Sequence, residues 1–293
     1  IVGGGIIGLE MASVYAELGS RVTIVELASD LMVGLDPDLV APLEKSILKR
    51  VEAIFKSTRV SRVVAHKDSL SVDLDGPDVP SSMNFDKVLL AIGREPNTKG
   101  LGLEKLGVQL SQDGFVSVDS KMCAAPSVYA VGDIVGPPML AHKAAHQGKV
   151  AAEVVAGLKA EFSSLTIPSV AYTDPELAWT GVTEEEAKNS GMDFSKGLYP
   201  WYASGRSLST GRKEGITKLL FDKKSRRLIG AGIVGSNAGE LIGEISLAIE
   251  MGCDEEDLSL TIHPHPTLTE TISTAAEVAA GTVTELYLGR NKK

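Results

Sequence analysis

The grouping best suited to chemistry is an octet near the C-terminal end, residues 263–270, which reads His-Pro-His-Pro-Thr-Leu-Thr-Glu. It places His265 five residues before a carboxylate, Glu270. A carboxylate beside an imidazole fixes which ring nitrogen carries the proton and favours the protonated ring. Such a pair suits a general base that takes up a proton and returns it. His265 and Glu270 are therefore candidate catalytic residues.

The same octet has plainer interpretations. A histidine before proline is often only a turn residue, and Glu270 can serve only as a helix cap. A metal site is less favoured, because no third or fourth ligand lies at the spacing typical of zinc sites.

A helix after the octet would position these side chains. Pro266 suits the first helical position, where its missing N–H costs nothing. Thr267 and Glu270 have the Thr-x-x-Glu spacing of a capping box. Residues 272–280 are mostly small and apolar, so the sequence predicts a helix there. His265 would then lie on the turn just before that helix.

A glycine motif opens the chain, with the Gly-x-Gly-x-x-Gly spacing at Gly3, Gly5 and Gly8. A helix pattern follows through Leu18, and then a short apolar strand that ends in Glu26. This order of motif, helix, strand and acid is typical of a dinucleotide-binding β-α-β unit. The alternative is a glycine motif that serves only helix packing.

Each residue of this motif has a specific role in the β-α-β interpretation. Gly3 allows the tight turn, Gly5 the close approach of a diphosphate, and Gly8 the packing of helix on strand. The diphosphate would lie at the helix N-terminus. Glu26 would accept hydrogen bonds from the adenosine ribose and repel a 2′-phosphate, which favours NAD over NADP.

The composition excludes several classes of protein. The chain has 293 residues, of which 43% are hydrophobic. Its net charge is -9 and its basic residues are dispersed, so neither nucleic acid nor a membrane is an expected partner. Its two cysteines, Cys123 and Cys253, form no disulfide framework. A reducing compartment is expected, the cytoplasm or, in a eukaryote, the mitochondrial matrix.

Changes of pattern along the chain predict three domains. Residues 86–94 form a buried strand that ends the first domain, and Gly93 at its end can lie against the nicotinamide half of the cofactor. A second strand ends at Asp133, which can bind a sugar hydroxyl or serve only as a turn or cap residue. The expected domains are a Rossmann-type NAD-binding domain at 1–94, a central segment at 95–166 and an α+β domain at 167–293.

Together, these motifs resemble the pyridine nucleotide–disulfide oxidoreductases. The resemblance covers essentially the whole chain and is closest to the branch that oxidises protein-bound dihydrolipoamide with NAD⁺. The residues that carry it are 3–10, 89–94, 129–133, 139–144, 172–176, 239–252 and 263–270.

The resemblance assigns roles to individual residues. It implies an NAD site made by Gly3, Gly4, Gly5, Ile6, Ile7, Gly8, Leu9, Glu10, Glu26, Val60 and Gly93. It implies contacts to FAD from Asp133, Met139, Leu140, Ala141 and His142. His265 would be the active-site base, held by Glu270 and acting across a homodimer interface made by the α+β domain. The implied partners are the lipoyl domains of 2-oxo acid dehydrogenase complexes.

Two features of the family are missing from the sequence. The redox pair Cys-x-x-x-x-Cys and the N-terminal glycine motif for the ADP half of FAD are both absent, and both would precede Ile1. We interpret the chain as part of a longer enzyme in which electrons pass through a disulfide and FAD to NAD⁺. The alternatives are a non-catalytic module for NAD binding and dimerisation, or another flavin-dependent disulfide reductase.

Overall fold

The computed structural model describes residues 1–287 and divides into two compact units. The first combines Ile1–Ile92 with the chain from Pro168 onward, and the second is Gly93–Ile167. Within the described residues, no helix combines the length and apolarity needed to cross a membrane.

The first unit begins with a small parallel sheet. Its elements are α1 (Ile6–Glu17), β1 (Thr23–Val25), α2 (Pro37–Ile47) and β2 (Ala53–Phe55). Strand β1 pairs with β2 in parallel, and Val2 forms parallel bridges to Val25 on one side and Leu90 on the other. Helix α1 thus connects the extended segment at Val2 with strand β1, and the two lie side by side in parallel. This is the Rossmann arrangement.

A three-stranded antiparallel sheet follows, made by β3 (Arg59–Ala65), β4 (Leu70–Asp75) and β5 (Ser82–Phe85). Its apolar side chains Val72 and Leu74 pack with Val25 of β1 in one buried cluster. This insertion is therefore anchored to the parallel sheet.

The expectation of a buried strand over residues 86–94 is wrong. Among the described residues, the backbone of this segment pairs with Val2 alone, from Val2 N to Leu89 O and from Ala91 N to Val2 O. Leu90 and Ile92 are 67% and 74% exposed. With backbone pairing at one residue, the segment forms a single bridge and leaves these two side chains largely uncovered.

The second unit contains β6 (Cys123–Ala125), β7 (Val128–Tyr129) and α3 (Ala141–Val155). The predicted strand ending at Asp133 stops early, because Gly132 adopts a φ of 83° and the chain enters a 3-10 turn over Gly132–Val135. Asp133 therefore lies in this turn rather than at a strand end. The Gly-Pro-Pro at residues 136–138 predicts a turn into a helix from about Leu140 to Ala156, and α3 agrees with this prediction.

The remainder of the first unit is a five-stranded antiparallel sheet with helices. Its strands are β8 (Ser169–Ala171), β9 (Glu176–Gly181), β10 (Phe194–Pro200), β11 (Ile216–Asp222) and β12 (Leu228–Gly235), in the order β10-β11-β12-β9-β8. Its helices are α4 (Glu184–Asn189), α5 (Gly205–Thr210), α6 (Ala238–Met251), α7 (Glu255–Leu260) and α8 (Glu270–Ala280). The combined α/β and α+β architecture expected from the sequence is confirmed.

Helices α6 and α8 cover this sheet. Buried Ile242 and Ile245 of α6 and Ile272 of α8 share one apolar cluster with Trp201. A Cβ at Gly197 would lie 1.8 Å from the carbonyl oxygen of Ala275, so only glycine lets α8 approach β10 this closely. The start of α8, where Glu270 lies, is therefore held on a rigid layer.

Candidate functional site

The octet lies in the segment between α7 and α8, and its local structure differs from the expectation. Helix α8 begins at Glu270, so Pro266 is not its first residue. The capping box is half formed, because the backbone N–H of Thr267 donates to Oε2 of Glu270 at 2.7 Å. The Thr267 hydroxyl instead donates to the carbonyl oxygen of Pro264 at 2.7 Å, which closes a turn around His265.

His265 and Glu270 form a direct hydrogen bond. Nδ1 of His265 lies 2.9 Å from Oε1 of Glu270. Since a carboxylate can only accept, Nδ1 carries the proton and the neutral ring presents the lone pair of Nε2. The His265 side chain is 77% exposed and that of Glu270 is 29% exposed. The pair therefore offers a fixed proton acceptor at an open surface.

Both carboxylate oxygens of Glu270 are used, one by the imidazole and one by the backbone of Thr267. The carboxylate thus cannot rotate without losing a hydrogen bond, and the ring orientation is fixed in turn. A base held in this way can accept a proton from a thiol or hydroxyl that approaches Nε2.

The start of α5 lies beside the ring, a contact that the sequence did not predict. A Cβ built at Gly205 would lie 3.7 Å from Cε1 of His265. Residues 205 and 265 are far apart in sequence and share no local pattern, so only the fold brings them together.

The glycine loop shows three different roles for its glycines. A Cβ at Gly3 would lie 2.3 Å from the carbonyl oxygen of Ala91, and one at Gly8 would lie 2.0 Å from the carbonyl oxygen of Gly3. No atom lies within 4 Å of a Cβ built at Gly5. Gly3 and Gly8 are therefore required by packing, whereas Gly5 leaves open space at the helix start.

The start of α1 is suited to an anion. Gly5 is its N-cap without a side-chain cap, and its first turn contains no acidic residue. The positive end of the helix dipole is thus not neutralised by the chain itself. Glu26 lies beside the loop and accepts hydrogen bonds from the backbone N–H of Gly4 at 2.6 Å and of Ala28 at 2.7 Å. This arrangement fits a dinucleotide with its diphosphate at the helix and a ribose near the carboxylate.

The other residues expected at this site differ in accessibility. Ile6 is partly buried and Ile7 is 51% exposed, whereas Leu9 is fully buried in the core. Oε1 of Glu10 accepts a hydrogen bond from the backbone N–H of Tyr172 at 2.8 Å. Val60 packs against the apolar cluster of the three-stranded sheet. Leu9 and Glu10 thus hold the helix in place.

In the second unit, Asp133 is paired with Arg94. Oδ2 of Asp133 accepts from Nη1 of Arg94 at 2.8 Å, and Nη2 of Arg94 donates to the carbonyl oxygen of Met139 at 2.8 Å. Arg94 thereby links the 3-10 turn to the residues before α3. Gly93, just before it, is exposed with a φ of 132°.

Helix α3 begins beside this pair. Leu140 is its N-cap, Ala141 is its first residue, and His142 follows on the exposed side. Buried Lys143 donates to the carbonyl oxygen of Gly136. Burial lowers the pKa of Lys143, although the charge of Asp133 opposes this. Arg94 and Lys143 thus connect the 3-10 turn that contains Asp133 with the start of α3.

Comparison with known proteins identifies the class. Residues 1–148 match the model of the pyridine nucleotide-disulphide oxidoreductases, and residues 167–276 match the dimerisation domain of the same family. The chain therefore belongs to the pyridine nucleotide-disulphide oxidoreductase family.

Individual relatives point to one branch of this family. The dihydrolipoyl dehydrogenases of Vibrio cholerae and Haemophilus influenzae are each 50% identical to the chain over its whole length. The chain covers 62% and 61% of those relatives, so it spans about three fifths of their length.

Solved structures agree with this placement. LpdA from Mycobacterium tuberculosis matches 94% of the chain with a TM-score of 0.85 and 29% identity, over 60% of its own length. The HOCl-induced flavoprotein disulfide reductase RclA from Escherichia coli matches 92% with a TM-score of 0.83 and 27% identity, over 62% of its own length.

Proposed function

We propose that the chain provides the NAD-binding and dimer-forming parts of a dihydrolipoyl dehydrogenase, also called dihydrolipoamide dehydrogenase. The observation that carries this proposal is the His265–Glu270 pair, which leaves Nε2 of the imidazole open at the surface. The 50% identity to dihydrolipoyl dehydrogenases over the whole chain supports the choice of substrate.

In this proposal, NAD⁺ binds at the glycine loop. Gly5 admits the diphosphate to the N-terminus of α1, and Glu26 accepts from the adenosine ribose while repelling a 2′-phosphate. The backbone around Gly3 to Gly8, with Val60, would contact the nucleotide, whereas Leu9 and Glu10 hold α1 in place behind it.

FAD is the second proposed cofactor. Asp133 would bind its sugar-alcohol chain, and Met139, Leu140, Ala141 and His142 would lie beside the flavin ring. The start of α3 at Leu140 has no side-chain cap and no acidic residue in its first turn, which fits an electron-rich ring edge. When bound, the flavin and the nicotinamide supply hydride chemistry.

The residues of this chain supply proton transfer. Nε2 of His265 accepts the proton of a dihydrolipoyl thiol, and the resulting thiolate is the nucleophile of disulfide exchange. Glu270 stabilises the imidazolium that forms and keeps the ring oriented. The same nitrogen, Nε2 of His265, releases that proton later in the reaction.

The proposed domains are residues 1–94 for NAD binding, 95–166 for contacts to FAD and 167–293 for dimerisation. The protein would work as a homodimer in the cytoplasm and receive its substrate from the lipoyl domains of 2-oxo acid dehydrogenase complexes. The match of residues 167–276 to a dimerisation domain supports the homodimer.

The test is NAD⁺ reduction by the full-length natural protein. We expect NADH formation with dihydrolipoamide and little with NADP⁺. Turnover of another disulfide or dithiol substrate but not of dihydrolipoamide would indicate a different reductase of the family. NAD⁺ binding with no redox turnover on any such substrate would favour a non-catalytic module.

A further inference from the structure

A second histidine–carboxylate pair lies beside the first. Nε2 of His263 is 2.7 Å from Oε1 of Glu244, and Nδ1 of His263 is 2.9 Å from the carbonyl oxygen of Thr261. The His263 side chain is 7% exposed, in contrast to 77% for His265. The two histidines of the octet thus occupy opposite environments.

Both ring nitrogens of His263 are engaged. A backbone carbonyl oxygen can only accept, so Nδ1 must carry a proton. Nε2 in turn lies within hydrogen-bond distance of Oε1 of Glu244. His263 therefore has no nitrogen left to act as a base, and its ring is fixed at both ends.

The carboxylate that holds His263 belongs to a rigid element. Glu244 lies in the middle of α6, whose side chains Leu241, Ile242 and Ile245 are buried against the sheet. The hydrogen bond from His263 thus fastens the segment before His265 to the core. On the other side of His265, the backbone N–H of Thr267 donates to Glu270, the first residue of α8.

We propose that His263 and Glu244 form a positioning pair that holds His265 at the geometry its proton transfer requires. The inference rests on the proposed function, in which His265 is the base. His263 and His265 are separated by Pro264 alone, whose ring restricts the backbone between them. A displacement of His263 is therefore passed on to His265 rather than absorbed.

The low exposure of His263 gives the pair an energetic consequence. Removing Glu244 leaves a ring nitrogen of His263, whose side chain is 7% exposed, without its hydrogen-bond partner, which costs stability. Glu244→Gln keeps a polar partner, because the side-chain amide can donate to Nε2 of a neutral ring. Glu244→Ala provides none. The two variants therefore separate loss of the hydrogen bond from loss of the charge.

The test uses the full-length, cofactor-loaded protein and a control on the same helix. Glu240→Gln serves as the control, because Glu240 is exposed on α6 and one turn before Glu244. Misplacement of a base by about 1 Å can cost about 100-fold in rate. We expect Glu244→Ala to lower kcat with dihydrolipoamide by about 10- to 100-fold, with KM changed by about twofold or less.

A second reaction and a spectroscopic signal distinguish positioning from general damage. Reduction of an artificial dye by NADH does not need His265 and should be unchanged in Glu244→Ala. In ring-¹⁵N histidine spectra, the Nδ1–H signal of His265 bonded to Glu270 should be lost in Glu244→Ala and kept in Glu244→Gln and Glu240→Gln. Glu244→Gln should also recover most of the turnover.

The outcomes are separable. An equal fall of both reactions, together with a lower midpoint of thermal unfolding, would overturn the proposal and leave a structural role. If the His265 Nδ1–H signal persisted in Glu244→Ala, the positioning proposal would be overturned, whichever substrate the enzyme uses. Absence of dihydrolipoamide turnover in the unmodified protein would instead reject the proposed function, and the spectra would still decide the positioning role.

Discussion

Gly5 and Gly8 of the glycine loop lack a side chain for different reasons. Gly8 is required inside the protein, because its α-carbon faces the carbonyl oxygen of Gly3 at a distance that excludes a methyl group. Within residues 1–287, a Cβ at Gly5 meets no atom other than those of its chain neighbours and its own helix, so the missing side chain leaves room for something outside the chain. The proposed occupant is the diphosphate of NAD⁺, which fits the uncapped start of α1.

The first prediction compares Gly5→Ala with Gly8→Ala in the full-length protein. Gly5→Ala should change the free energy of unfolding by no more than about 1 kcal/mol, because the methyl group enters open space. It should weaken NAD⁺ binding about tenfold or more, measured by calorimetry, because the methyl group displaces the diphosphate.

Gly8→Ala is the matched comparison and should destabilise the fold by about 1–3 kcal/mol or more, because its Cβ collides with backbone. If Gly5→Ala bound NAD⁺ as well as the unmodified protein does, the diphosphate would have to lie elsewhere.

Elements with strong local signals were predicted well. The sequence pattern predicts helices over residues 184–189 and 238–251, and α4 and α6 have these bounds. Helix α4 carries a capping box at Thr183, and α6 ends at Gly252 in the left-handed conformation. Both signals lie within a few residues of the helix ends they determine.

Elements specified by distant contacts were missed. Strand β10 is made possible by Gly197, which admits α8 from far along the chain, and the sequence of β10 has no apolar run that reveals this. The Pro266 prediction failed because the Thr267 hydroxyl donates to Pro264 rather than capping the helix. The assignments of His265 and Glu270 remain predictions, although the structure brings the two side chains together as expected.

A buried lysine joins elements of the first unit. Lys218 of β11 is 1% exposed, and its Nζ lies 2.7 Å from Asp36 before α2 and 3.2 Å from Glu184 of α4. Burial lowers the pKa of Lys218, but the hydrogen bonds that its ammonium group donates to Asp36 and Asp38 raise the pKa above its ordinary value overall. The ammonium group therefore compensates a cluster of carboxylates between α2, α4 and the sheet.

The second prediction concerns the pH dependence of this cluster. Burial raises the pKa of Glu184, but hydrogen bonds from Lys188, Lys196 and Lys218 lower it from 4.5 to about 2. A carboxyl with a depressed folded-state pKa stabilises the protein above its unfolded-state pKa. This contribution is at most about 3 kcal/mol, and it disappears as the pH falls from about 4.5 to about 2.

Glu184→Gln should therefore reduce the free energy of unfolding at pH 7, measured with urea, and the difference from the unmodified protein should shrink at acidic pH. The exposed Glu185, next to it on α4, provides the control Glu185→Gln, which should show little change. A difference for Glu184→Gln that stayed constant from pH 7 to pH 3 would contradict the depressed pKa.

At the level of the whole molecule, large apolar side chains of α6, α7 and the segment after α7 remain uncovered. Ile262, immediately before His263, is 97% exposed, and Leu260 and Met251 are 71% and 72% exposed. They lie within the range matched by the family's dimerisation domain. In the proposed homodimer a second copy of the protein covers them.

The third prediction tests this surface. Ile262→Glu should shift the full-length protein toward monomers in sedimentation experiments, because a carboxylate would be buried in the interface. Dihydrolipoamide turnover should fall with the dimer fraction if His265 acts on the partner subunit. Val63→Glu on β3, which introduces the same charge at a residue 43% exposed, should leave the dimer intact. An unaltered dimer in Ile262→Glu would place the interface elsewhere.

The most direct test of the account is the rate of NAD⁺ reduction by dihydrolipoamide in the His265→Gln variant of the full-length protein. Because the variant removes the proton acceptor but leaves the glycine loop untouched, we predict a fall of about 10²- to 10⁴-fold with an unchanged dissociation constant for NAD⁺. Turnover at the unmodified rate would show that His265 is not the base and would contradict the proposed mechanism.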